Sequence, residues 1–158
     1  MKRYGNSRTD SFVKGIPEKG LESEGEQLSK RCKFNFHYFQ ATPPGQAWSD
    51  WTHENLVKLL GKLQLYSESP LSYWENSKVL SIYDCFPVKS DFSHPKAIPH
   101  DVRWGRFRLE QKVRLVGFVV PSALNGRAHS STNQNFCSNT FYVVFLDMNH
   151  RFYITERD

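Results

Sequence analysis

Apolar and polar residues alternate from Lys33 to Phe39 (Lys-Phe-Asn-Phe-His-Tyr-Phe), the period of two expected of a strand with one buried face. Thr42-Pro-Pro-Gly45 breaks that pattern. From about Ser49 the period becomes helical: Leu56, Leu59, Leu60 and Leu63 fall on one stripe, with Ser49, Asp50 or Thr52 available as N-cap and Glu54 in the first turn. Ser69-Pro70 repeats the start signal, and Leu71 with Trp74 gives a short second helix an inward face that ends near Asn76 or Ser77. Strand patterning resumes at Val79 to Phe86, then at Trp104 to Glu110, Lys112 to Val120, Thr140 to Asp147 and Arg151 to Thr155. Phe141 to Leu146 is apolar on both faces, which predicts a central strand covered by helices on one side and by something else on the other. The expected fold is α+β: a strand, two helices, then an antiparallel sheet of about four strands with the helices on one face.

The connections are marked by turn chemistry. Pro87, Pro95 and Pro99 predict a long exposed connection carrying His94, Lys96 and His100, Asn125 to Asn139 reads as a flexible hairpin excursion, and Met148-Asn149 as a tight turn. Residues 1–31 hold only scattered large apolar side chains among Ser, Gly, Lys and Glu, so a mobile N-terminal arm is expected ahead of a single domain over 32–158. With 158 residues and 39% hydrophobic content the chain can build one core.

The net charge of +5 divides into +2 for residues 1–31 and +3 for the rest, so neither part is strongly basic as a whole. Local clustering changes the picture: Arg103, Arg106, Arg108, Lys112 and Arg114 fall within twelve residues against one acid, Glu110. On a strand Arg106 and Arg108 share a face with Trp104, while Phe107 and Leu109 take the other. A sheet with one cationic face suits a phosphate backbone. A solvated or salt-bridged outer face explains the same pattern equally well.

Cys32, Cys85 and Cys137 are far apart and form no Cys-x-x-Cys pair, which fits a reducing cytoplasm and neither a disulfide framework nor a cysteine zinc site. The first 30 residues lack an apolar signal core and no run approaches the length of a membrane span, so no membrane association is expected. No cofactor signature is present. The absence of a phosphate-binding Gly-rich loop, a nucleophile elbow and a paired-carboxylate motif argues against an ATPase, a serine hydrolase and a glycosidase. His94 and His100, near Asp91 and Asp101, invite a metal reading, but their spacing matches no established ligand motif. Trp48, Trp51 and Trp74 read as helix-to-sheet core before base-stacking platforms.

The order of elements and the basic strand pair Arg-Phe-Arg-Leu…Val-Arg-Leu-Val-Gly-Phe-Val resemble the RelE/ParE-like toxins of bacterial toxin-antitoxin pairs over roughly residues 33 to 155. The resemblance implies a cytoplasmic endoribonuclease acting on RNA, mRNA on the ribosome, without a metal or cofactor, and held inactive by an acidic antitoxin-type protein. It implies cleavage by attack of a ribose 2′-hydroxyl on the adjacent phosphorus. That reaction needs a proton acceptor, cations for the pentacoordinate charge and a proton donor for the leaving oxygen. The candidates for catalysis are His150 and Tyr153 for proton transfer with Arg106 and Arg108 as cations. Those for nucleic-acid binding are Arg103, Lys112, Arg114 and Arg151. Against this stand ordinary roles: His150 as a turn residue and Tyr153 as the end of a core strand. The alternative function is a non-catalytic nucleic-acid or protein binding module of a mobile element or defence system.

Overall fold

The computed structural model describes residues 27–155 continuously, together with 14–15 and 20–22. Most of the expected N-terminal arm lies outside these residues. Five strands form one mixed sheet in the order β1-β5-β4-β3-β2: β1 Lys33–Asn35, β2 Leu80–Tyr83, β3 Arg103–Arg108, β4 Arg114–Val119 and β5 Thr140–Asp147. β2 to β5 pair antiparallel as expected, but β1 joins β5 in parallel, with Lys33 opposite Thr140, so the sheet is not purely antiparallel.

Helix α1, His53–Tyr66, starts where Thr52 Oγ1 accepts the Asn55 amide at 3.2 Å, which selects Thr52 among the three candidate caps. Helix α2, Leu71–Asn76, places Pro70 at its N-cap instead of its first turn. Both helices lie on one face of the sheet. There Leu59, Tyr66, Leu71 and Trp74 pack with Phe107, Leu115, Phe141 and Leu146, and the Tyr66 ring stacks on Phe107 at 4.8 Å. The Tyr66 hydroxyl donates to the Arg108 carbonyl, and Cys32 Sγ donates to the Tyr66 carbonyl at 3.0 Å. Burial pushes the Cys32 thiol up to about 11, so it is a packing residue and not a nucleophile.

The opposite face carries a second apolar layer: Trp104, Val116, Phe118, Val144 and Phe145, closed by Phe92, Ile98, Val102 and Phe152. The cover expected over the second face of β5 is therefore the proline-rich connection itself. That segment keeps Lys96 and His100 exposed, as expected of a connection, but it also has a buried inner side. Phe92, Ile98 and Val102 are buried with Pro87 and Pro95, because prolines that stop a helix or strand still supply apolar surface.

Arg151–Thr155 is not a strand either. The buried Asp147 carboxylate accepts the amides of Arg151 and Phe152, both at 2.9 Å, and turns the chain so that Phe152 plugs the second layer. A β-bulge between Val116 and Gly117 puts both Val144 and Phe145 on the second face. Residues 125–139 form a small excursion closed by the Ala128–Asn135 bridge. Among the described residues no helix is long and apolar enough to cross a membrane.

Candidate functional site

Strand alternation and register bring the basic residues together. Arg106 and Arg108 of β3, Arg114 of β4 and Asp147 of β5 lie on the face opposite the helices, at the end where Arg108 pairs with Arg114 and Arg114 with Asp147. The turn held by Asp147 carries His150 in the left-handed region, at φ 60°. This backbone directs the imidazole to Arg106, whose Nη1 lies 2.8 Å from His150 Nε2. A guanidinium only donates, so Nε2 holds the lone pair, the ring proton sits on Nδ1, and the imidazole is neutral. Burial first, then the charges of Arg106 and Arg114, hold the His150 pKa below its ordinary value, with Asp147 opposing them.

The Arg106 guanidinium also lies against two tyrosines, 5.9 Å from the Tyr83 ring centroid and 5.5 Å from that of Tyr153. These two rings stack in parallel at 5.0 Å. Burial raises the Tyr83 phenol despite Arg106, so it stays protonated at neutral pH. Beside this cluster opens a polar cleft of about 250 Å³, whose lining includes Lys112, Arg114, His150, Arg151, Gln111 and Asn149.

Several of the expected cations are already engaged. Arg114 Nη1 donates to the carbonyls of Glu110, Gln111 and Val113 at 2.8, 2.8 and 3.0 Å, which caps the β3–β4 turn. Its charge is opposed by burial and by Arg106 and Arg108, and supported by Asp147. Arg151 is bound through Nε and Nη2 to Asp91 Oδ2. Arg103 pairs with Asp84 at 3.4 Å, at the far end of β3, about 17 Å of strand from Arg108. Arg103 is thus separate from the cluster. Arg108 and Lys112 are exposed at its rim.

Tyr83, Gln111 and Asn149 were not singled out from the sequence. Alternation within Val79 to Phe86 puts Ser81 and Tyr83 on one face, but only the β2–β3 register, Ser81 opposite Arg106 and Tyr83 opposite Trp104, reveals which. His94 and His100 stack at 4.2 Å in the proline-rich cover, and Asp91 is taken by Arg151. Among the described residues no group of three or more His, Cys, Asp or Glu converges as a metal cage.

The depressed pKa of His150 has a stability consequence. Its folded form resists protonation while the unfolded chain takes up the proton near the ordinary value of about 6.5, so the unfolded state binds more protons in that window. The contribution of neutral His150 is fully present above about pH 6.5 and is lost as pH falls through the lower folded value. Denaturant unfolding between pH 7.5 and 5 should therefore weaken the wild-type chain more than His150→Asn. Parallel pH profiles would overturn this assignment.

No family model, no curated protein and no solved structure matches the chain.

Proposed function

We propose that this chain is a toxin-like endoribonuclease that cleaves RNA, mRNA on the ribosome, by 2′-hydroxyl attack and without a metal. The observation that carries the reading is the neutral His150 imidazole, with its lone pair at Nε2, held by Arg106 beside a cationic cleft. A phosphate is a stronger acceptor for a guanidinium than a neutral ring nitrogen. Substrate therefore draws Arg106 onto the phosphodiester and releases Nε2 to take the 2′-hydroxyl proton. The 2′-oxygen then bonds to phosphorus, Arg106 and the rim cations Arg108 and Lys112 stabilise the pentacoordinate charge, and the P–O5′ bond breaks. The Tyr153 phenol, beside Arg106, gives the proton to the leaving 5′-oxygen. The products are a 2′,3′-cyclic phosphate and a 5′-hydroxyl. The resemblance to RelE/ParE-like toxins adds a bacterial cytoplasmic setting and an acidic antitoxin-type partner covering the basic face.

One set of contacts favours the second reading, a non-catalytic binding module of a mobile element or defence system. Arg114 and Arg151 spend their guanidiniums on internal bonds, which leaves fewer cations for a transition state. Incubating purified protein with RNA separates the two. The enzyme reading expects new 5′-hydroxyl ends, reduced about 10²- to 10⁴-fold in folded His150→Ala, the usual range for general acid–base catalysis. Intact RNA with salt-sensitive binding would replace it by the binding module, and neither cleavage nor binding would remove both.

A further inference from the structure

α1 fully buries only Leu59 and Tyr66 of its fourteen residues, so it leaves space along its flank. On the side facing the β3–β4 turn lies an open cleft of about 130 Å³ with an apolar lining of Trp51, Leu59, Leu109, Val113 and Met148. It is remote from the polar cleft in chemistry and stands on the opposite, helix-covered face of the sheet.

The polar groups around this cleft are unequal. Lys58 is held between Glu54 at 3.1 Å and Glu110 at 3.7 Å, so the rim carboxylate is already engaged. Lys62, also at the rim, has no ion-pair partner among the described residues. Trp51, in the wall and 7% exposed, carries a buried indole N–H with no acceptor. The cleft therefore offers an apolar floor and a free cation at its rim. A ligand that complements it is apolar over most of its surface and ends in an anionic acceptor. A cation finds no free carboxylate there, since Glu110 is held by Lys58.

Size narrows the choice further. A cavity of about 150 Å³ holds a benzene ring, so the body matches one aromatic ring or a short alkyl chain. We propose that this cleft binds a small apolar carboxylate, with its body on Leu59, Leu109, Val113 and Met148 and its carboxylate on Lys62. The site is independent of the RNA-cleaving reading and survives its failure.

The test titrates the full chain with benzoate and hexanoate, and with benzyl alcohol and hexanol as neutral counterparts. The readout is the Trp51 indole N–H resonance, identified by its loss in Trp51→Phe, alongside calorimetry. Saturable binding of the carboxylates is expected, with the alcohols about tenfold weaker, the range of a hydrogen bond to a charged group. Lys62→Gln, an unpaired rim residue whose loss leaves the core intact, should erase the difference. Absence of saturable binding, equal affinity of acid and alcohol, or an unchanged preference in Lys62→Gln would each overturn the proposal.

Discussion

Phe152→Ala is expected to cost about 3–5 kcal/mol of folding stability, the range for removing a fully buried aromatic side chain. Phe152 has no exposed surface and touches four rings from separate parts of the chain, with centroids 5.3 Å from Phe86, 5.8 Å from Trp104, 6.1 Å from Phe92 and 6.3 Å from Tyr83. It joins the chain after β5 to the proline-rich cover and to β2. It also sits between Arg151 and Tyr153, so its loss should loosen the segment carrying Tyr153 and weaken whatever the Arg106 cluster does. Denaturant titration at neutral pH measures the first effect. A loss under about 1 kcal/mol, the scale of an ordinary surface change, would mean that the cover does not rest on this ring.

Gly117→Ala should be as damaging, through crowding instead of a void. A Cβ there would stand 2.1 Å from the Tyr142 carbonyl oxygen and 2.8 Å from Phe141 Cε1. The clash falls at the bulge between β4 and β5, so relief requires one central strand to move against the other. About 3 kcal/mol or more is expected, at the upper end for overpacking. Gly61→Ala is the matched control, because its Cβ meets nothing within 4 Å in the middle of α1. Helix propensity alone should make that variant about 1 kcal/mol more stable. Equal behaviour of the two variants in thermal and denaturant unfolding would sink the assignment of Gly117 to the close approach.

Local patterns carried much of the fold. The leucine stripe and Thr52 place α1, and the doubly apolar Phe141–Leu146 segment does lie at the centre of two layers. Part of what failed depended on contacts distant in sequence, and part on a local side-chain-to-backbone turn. The parallel placement of β1 beside β5 leaves no mark within Lys33–Asn35. The prolines of 87–99 mask the apolar spacing of Phe92, Ile98 and Val102, which belongs to a cover and to neither helix nor strand. Phe152 and Tyr153 mimic strand alternation, yet Asp147 diverts the chain into a turn. At the site, residue types pointed to Arg106, His150 and Tyr153 before their contact was visible, because cations and a histidine near the central strand are chemically conspicuous. That Arg114 caps a turn follows only from its hydrogen bonds, and that Tyr83 completes the cluster only from the β2–β3 register.

The left-handed backbone at His150 sets two demands on one position. Its conformation favours glycine or asparagine, since a Cβ in this region costs a residue of ordinary type roughly 1 kcal/mol. Its side chain, at the same time, is the one that meets Arg106. Position 150 thus joins a sparsely populated backbone conformation to the side chain that meets Arg106, so that contact is made at a conformational cost carried by a single residue.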